Sequence, residues 1–590
     1  MLAMNPIKVL LLFVCFISRL DVTAQSPAEN YPVDPASVDQ TGVPKGDMME
    51  FKFDNSKIFP GTTRKYWIYI PAAYDGKKPA CLYVNQDGIQ FKAPVVFDNL
   101  IYKKEMPVTI AVFIQPGSVP AKDGSIALSR NNRSYEYDGL GDNYVNFLLQ
   151  ELIPDVEKQK TSDGKPILIS KKANDRAIGG SSSGAIAAFN AAWERPDQFS
   201  RVFSSIGTYV GFRGAERFPT LIRKFEPKPI RVFLQDGTND LNNYVGDWWI
   251  TAQMMERALQ FAGYEVEYAW GDGGHNGIHA TAIFPQAMRF LWKDYPKQVA
   301  KGQSKNAFTN TIIIPGEDWE LVGEGYGFAE GTGVNAAGEV FYQDIPNAKT
   351  YKVDLQGHLT QLKIDSKKAS GTAFSAGGSR YNSATATNQI LKYDANNIET
   401  IVADGINVND LTVANNENIY VTAPNGAEKP GKIYLIKPNG EKVIVDEGLK
   451  FPNGLTLSPD QTELYVTESA SHWVYAYQVK ADGTLTAKQR FGWLHVPDNA
   501  ENAWADGLKC DRNNRIYVVT RIGIQVMDEL GRVISIIPVP LGNSPANICF
   551  GGPNFDVLYV TCQDKVYRRK VGVNGANSFD KPFKAITPKI

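Results

Sequence analysis

The sequence predicts a multidomain chain: an N-terminal α/β domain whose sheet is covered by helices on both faces, then a C-terminal six-bladed β-propeller. Three observations carry this. The 590 residues exceed what one hydrophobic core organises. From 48 to 296, apolar strand-like runs alternate with helix-like stretches. Beyond that, short strands separated by turn residues recur about every forty to fifty residues, the period of a four-stranded blade, with no convincing helix.

The elements follow in order. Residues 1–24 have the make-up of a secretory signal. Lys8 is the positive charge, 9–17 the short apolar run, and Val22-Thr23-Ala24 the small-residue cleavage site. That run is too short to span a bilayer, so the chain is expected to be secreted or periplasmic. Residues 25–47, rich in Pro, Asp, Ser and Gly, read as an extended leader. In the α/β domain, 48–296, strands are expected at 66–70, 80–84, 108–114, 177–178 and 232–234, and helices at 144–157, 184–194 and 251–262. The polar stretch 297–306 reads as a linker, and 307–590 as the propeller. A net charge of -1 gives no reason to expect a nucleic-acid partner. Removing the signal leaves Cys81, Cys510, Cys549 and Cys562. Cys81 and Cys562 fall in strand-like runs, so buried free thiols are expected there, with a disulfide as the alternative.

Gly180-Ser181-Ser182-Ser183-Gly184 is a G-x-S-x-G pentapeptide between a strand end and a small-residue helix start. This is the sequence form of a nucleophile elbow. A serine needs a base to take its proton, and only two histidines precede the linker, His275 and His279. His275 follows two glycines, as a base on a loop would. His279 falls at the start of the last helix, as a supporting or substrate-side residue. The acid belongs after the strand at 232–235, where Asp236 and Asp240 both qualify. Asp240 stands further out and is preferred. An oxyanion hole needs two N–H donors: Ser183, directly after the nucleophile, and the loop 85–89, with Gly88 as its donor.

With these residues in place, 50–295 resembles the esterase D, enterochelin-esterase-like branch of α/β hydrolases, which includes feruloyl and acetyl-xylan esterases. The matching stretches are 69–74, Asp87-Gly88, 147–154, the Ser182 elbow, Gly237-Thr238-Asn239-Asp240 and Gly274-His275. The resemblance implies an α/β-hydrolase fold and ester hydrolysis through an acyl-enzyme without a cofactor. Phe212, Tyr244, Trp248 and Trp249 are candidates for lining an aromatic-acyl or sugar site, or for core packing.

In the second half, Asn409-Asp410-Leu411, Asn453-Gly454-Leu455, Asp506-Gly507-Leu508 and Asn547-Ile548-Cys549 each precede a strand ending in Thr or Val. A weaker copy begins at Glu330-Gly331, and a degenerate unit lies at 371–393. Equivalent positions of propeller blades converge on the axis, so Glu330, Asn409, Asn453 and Asp506 bring oxygens together. Such a set suits a hard divalent cation: calcium, with zinc or manganese as substitutes. Residues 310–585 resemble the SMP-30/gluconolactonase family through 328–331, 408–410, 452–460 and 505–508. The resemblance implies Glu330, Asn453 and Asp506 as metal ligands and Asn409 as a substrate or metal-shell contact. Asp506 doubles as a candidate base for lactone opening. The family's substrate-binding arginine has no clear match; Arg380 is the nearest candidate.

Together these readings describe a serine carboxylesterase removing acetyl or feruloyl groups from plant cell-wall carbohydrate, fused to a metal-binding, lactonase-like propeller. The alternatives are a siderophore-type trilactone esterase and a carbohydrate-binding protein with two inactive enzyme folds.

Overall fold

The computed structural model describes residues 29–124, 127–426, 429–542 and 544–586. The signal sequence expected over 1–24 lies outside the described residues. No described helix is long and apolar enough to cross a membrane.

The N-terminal half is built on one eight-stranded sheet. Its strands are β1 (Asp47–Phe53), β2 (Arg64–Ile70), β3 (Cys81–Gln86), β4 (Thr109–Ile114), β5 (Arg176–Ser181), β6 (Arg201–Ser205), β7 (Arg231–Gly237) and β8 (Glu265–Gly271). They lie in the order β1-β2-β4-β3-β5-β6-β7-β8. From β4 onward every pairing is parallel. The central strands β3, β4 and β5 are buried at every position, which is why they read as continuous apolar runs rather than alternating ones. The helices are α1 (Ala93–Tyr102), α2 (Ser183–Glu194), α3 (Phe218–Lys224), α4 (Trp248–Phe261) and α5 (Ile278–Leu291). The helix expected at 144–157 is a composite run whose middle turn, Leu148–Leu152, is π-helical.

The second half contains six four-stranded antiparallel sheets. Their inner strands are β9 (Ala329–Val334), β10 (Ala369–Phe374), β11 (Leu411–Val413), β12 (Pro452–Leu457), β13 (Leu508–Cys510) and β14 (Pro545–Gly551). The degenerate unit at 371–393 is therefore a full blade. The last blade takes its outer strand from the start of the domain: Glu320–Glu324 pairs with Lys565–Lys570, closing the ring non-covalently. One short helix, Ala307–Ile312, precedes the first strand, where none was expected. It is capped by Asn306, whose side chain accepts from Phe308 N and Thr309 N. The four cysteines are buried free thiols.

The stretch 297–306 does not swing free. Val299 and Ser304 are buried, and Lys305 N donates to Phe261 O at 2.8 Å. The halves also contact directly. Glu226 takes a bidentate pair from Arg569 at 2.7 and 2.8 Å, both side chains buried, and its N–H donates to Ile536 O. Arg217 meets Asp498 at 2.7 Å, and Lys224 Nζ lies 3.0 Å from His495 Nε2.

Candidate active site and axial oxygen cluster

Ser182 sits between β5 and α2 at φ 57° and ψ -123°, a strained geometry for a residue with a side chain. The elbow's glycines are explained by contact. A Cβ on Gly180 would lie 2.7 Å from the carbonyl carbon and oxygen of Gly184, and one on Gly184 would lie 2.8 Å from Asp87 Oδ2. The turn closes only if both are bare.

The geometry brings the three predicted residues into a relay. Ser182 Oγ lies 2.9 Å from His275 Nε2, and His275 Nδ1 lies 2.6 Å from Asp240 Oδ1. The Asp240 side chain is fully buried, and Leu241 N also donates to it at 2.6 Å. Burial opposes its charge. The hydrogen bond from His275, with the neighbouring Asp236 carboxyl, outweighs that and holds Asp240 below the usual carboxylate range. Trp248 packs edge-on to the His275 ring at 5.7 Å. Its indole N–H donates to Thr208 Oγ1 at 3.2 Å, and that hydroxyl lies 3.1 Å from Ser182 Oγ. Thr208 has no sequence signature; it arrives only because the turn after β6 lies beside the elbow.

Asp236, the other acid candidate, stands behind the relay. It is fully buried, and its Oδ1 accepts from Gly237 N at 2.7 Å. Burial first, then Asp240's hydrogen bond and charge, raise it far above the ordinary carboxylate range. The two carboxyls are thus pushed apart, Asp240 toward the carboxylate and Asp236 toward the acid form.

Two expectations are corrected. Gly88 N donates to Ile114 O at 2.9 Å, so it has no proton to offer an oxyanion. Asp87, held at φ 63° and lining the cavity beside Ser182, takes its place as the loop's candidate donor. Ser183, as the first residue of α2, keeps an N–H without an intrahelical acceptor. His279 is 6% exposed, stacked on Tyr31 at 4.1 Å and 3.3 Å from Gln235 Nε2. Burial lowers its pKa. It supports the fold rather than touching substrate.

The cavity at Ser182, about 550 Å³, is lined by Asp87, Gln90, Phe91, Arg133, Ile206 and Asn276, with Ser181, Ser182, His275, Gly277 and Thr281. None of the four aromatic candidates lines it. Trp248 is buried behind His275, and Tyr244 is 92% exposed. Arg133, unforeseen from sequence, pairs with Asp87 through Nε and Nη2 at 2.7 and 2.9 Å.

On the propeller axis, Glu330, Asn453 and Asp506 are buried. Burial, then the charge of Asp410, raise the Asp506 pKa, and the neighbouring Asn453 and Glu330 side chains oppose that rise. Asn453 Nδ2 donates to Ser469 Oγ at 3.0 Å. Asp506 Oδ1 is buried with no protein hydrogen-bond partner among the described residues. Asp410 joins them: burial, then the charges of Asp506 and Asp410, push Glu330 well above its usual range. Asn547 stands beside both carboxyls and opposes their upward shifts. Among the described residues no three His, Cys, Asp or Glu side chains converge as a metal site by themselves. A cation there needs the Asn453 amide oxygen. The orphaned Asp506 oxygen and the all-oxygen donor set fit a hard divalent cation. Asn409 precedes β11 and is held by its backbone: its carbonyl accepts from Ser370 Oγ and Ser383 Oγ, and its N–H donates to Thr422 O at 2.8 Å. Arg380 is 5% exposed, stacked over Tyr393 at 4.6 Å and bonded to Asn397. It belongs to its blade's interior, not to a binding site.

Asp506 also lines a cleft of about 980 Å³ between the halves, walled by Phe328, Trp504 and Arg521 on one side and Trp193, Arg217 and Phe218 on the other. The Ser182 cavity shares no residue with it. Ser182 stands at the N-terminal end of α2, and Asn190, Trp193 and Glu194 of its C-terminal half line the cleft.

Fold and site thus define a serine-hydrolase half and a six-bladed propeller half. Residues 56–288 match the family model described as putative esterase, which implies an α/β-hydrolase fold for the sheet. Residues 328–564 match the SMP-30/Gluconolactonase/LRE-like region. The chain thus joins a domain that matches an esterase family model to one that matches a gluconolactonase-like model. It is 27% identical over 140 residues to a gluconolactonase of Zymomonas mobilis subsp. mobilis, covering 23% of this chain and 39% of that protein. It is 22% identical over 231 residues to the pentonolactonase XacC of Haloferax volcanii, covering 38% and 76%. Among solved structures, a ferulic acid esterase aligns with TM-score 0.31 and 18% identity over 42% of this chain and 99% of its own. A putative gluconolactonase aligns with TM-score 0.41 and 19% identity over 46% and 98%.

Proposed function

We propose that this protein is an exported serine carboxylesterase that removes acetyl or feruloyl groups from plant cell-wall carbohydrate, and that its propeller is a metal-dependent lactonase-like unit. The observation that carries the esterase reading is the relay from Ser182 through His275 to Asp240, at 2.9 and 2.6 Å. Ser182 Oγ attacks the ester carbonyl while His275 Nε2 takes its proton. Buried Asp240 holds the imidazole by Nδ1–H and stabilises the imidazolium. The tetrahedral oxyanion is met by the N–H of Ser183 and by the 85–89 loop, with Asp87 as its donor. His275 returns the proton to the leaving alkoxide, and the acyl-Ser182 intermediate is hydrolysed by water through the same relay. The cavity beside the serine, about 550 Å³, has the volume for a substituted sugar.

In the propeller, Glu330, Asn453 and Asp506 would hold the cation, which supplies Lewis-acid polarisation of a lactone carbonyl. Asp506 Oδ1, which has no protein hydrogen-bond partner among the described residues, would be that residue's ligand to the cation.

The test is product release from acetylated xylo-oligosaccharide, feruloylated arabino-oligosaccharide, a catecholate trilactone and an aldonolactone. The proposal expects acetate or ferulate release that disappears in Ser182→Ala. Turnover of the trilactone alone would move the substrate class to siderophores. No ester turnover by the wild type would remove the esterase reading.

A further inference from the structure

The leader, unexplained by the function so far, runs across the loop that carries the base. Glu29 Oε1 accepts from Gly274 N at 3.1 Å and from Asn276 Nδ2 at 2.6 Å, so one carboxylate oxygen holds the residues on both sides of His275. The carboxylate lies flat on Gly273: a Cβ there would sit 2.3 Å from Glu29 Oε2. Two residues on, the Tyr31 ring stacks on His279, and its hydroxyl donates to Asp272 Oδ1 at 3.0 Å. The strap is then fixed at Asp34, paired with Arg289 at 2.6 Å, and at Ala36 and Val38, whose carbonyls accept from Asn99 at 2.9 Å.

We infer that Glu29 is a positioning residue for catalysis: the leader, through Glu29, fixes the His275 loop in register with Ser182. The inference deepens the reading above and rests on it, since it needs Ser182 and His275 to be the reacting pair. The physical need is plain. Gly273 and Gly274 give the loop more backbone freedom than any other pair of residues would. A base displaced by about 1 Å costs on the order of a hundredfold in rate. From the rest of the α/β domain, the loop's backbone is held by Asn239, which bonds Asp272 O and Gly273 O. The imidazole is held by Asp240 alone on its Nδ1 side. Glu29 supplies the missing restraint next to the ring, and Asn276, which it grips, also lines the Ser182 cavity. Glu29 reaches the substrate only through these residues.

The experiment measures p-nitrophenyl acetate hydrolysis, the rate of Ser182 labelling by a fluorophosphonate, and thermal melting for wild type, Glu29→Ala, Glu29→Gln and a Ser182→Ala control. Glu29→Ala is expected to lower kcat about tenfold to a hundredfold with KM little changed, and to slow labelling by the same factor. Glu29→Gln, which keeps the acceptor oxygen, is expected to recover most of both. If Glu29→Ala stays within twofold of wild type, or if Glu29→Gln loses as much as Glu29→Ala, the inference is overturned. A kcat loss that merely tracks a fall in the melting midpoint of both variants also overturns it. Unchanged hydrolysis and labelling in Ser182→Ala would instead remove the esterase reading itself.

Discussion

At the scale of single residues, the site's tuning lies in its second carboxyl. Asp236 near the end of β7 and Asp240 in the loop after it both have buried side chains; two charges cannot be held so close without water. His275 donates to Asp240 and favours its charge, which pushes Asp236 toward the acid form. Asp236→Asn preserves a donor of nearly the same shape and is expected to retain ester turnover within about threefold. Asp236→Ala removes the donor and is expected to lose about tenfold or more in kcat/KM. Equal losses in both would show that Asp236 is needed as an anion. The glycines of the elbow make a separate prediction. Gly180→Ala places a methyl 2.7 Å from the Gly184 carbonyl and is expected to destabilise the domain by about 1–3 kcal/mol in urea unfolding. Ser182, Asp240 and His275 could be singled out from sequence because chain order and the scarcity of histidine left few candidates. Thr208, Arg133 and Glu29 could not. Each reaches the site from a segment distant in sequence, with no local pattern. Gly88 misled because a glycine beside an oxyanion loop says nothing about where its N–H already points.

At the scale of elements, the propeller was readable from its inner strands because five of the six blades place an Asn, Asp or Glu at the head of a buried inner strand. Asp410 and Asn547 were visible in that repeat but lacked a chemical reason to be chosen. The axis shows the reason: they stand against Glu330. The edge strands β1 and β8 were harder to see, since half-buried strands such as 265–271 mix charge and aromatic residues. Burying Glu330, Asp410 and Asp506 together is unfavourable unless protons or a cation compensate. Calcium is therefore expected to raise the propeller's melting midpoint, and a chelator to lower it, in calorimetry of the full chain. Asp506→Asn should abolish the calcium response. A melting profile indifferent to calcium, zinc and manganese would contradict a metal at the axis.

At the scale of the whole molecule, the two halves are joined by buried contacts rather than by a tether. Glu226 and Arg569 form a bidentate pair across the interface with both side chains buried. Removing one partner strands the other, so Glu226→Ala is expected to cost about 3–5 kcal/mol. His495 adds a pH dependence. Burial, then the nearby Lys224 and Arg217 charges, lower its pKa to about 4. A histidine lowered on folding contributes stability that is complete above its unfolded pKa of about 6.5 and is lost as pH falls toward 4. Acidification from pH 7 to pH 4.5 is expected to weaken the interface by roughly 1–2 kcal/mol after allowance for partial exposure. His495→Gln should flatten that part of the stability profile, read by chemical denaturation at each pH. The interface itself was not legible: the polar composition of 297–306 describes a linker, and nothing in it reveals that the flanking domains dock. Docking also gives the propeller's mouth one wall made by the hydrolase half, while the serine faces a separate cavity.

The central claim is that Ser182 is a nucleophile activated by His275 and Asp240. Intact-mass and peptide analysis after brief exposure to a fluorophosphonate tests it most directly. One adduct per chain, located on Ser182, absent in Ser182→Ala and formed at least about a thousandfold more slowly in His275→Ala, is the predicted result. An adduct elsewhere, or labelling of Ser182 at an unchanged rate in His275→Ala, would contradict it.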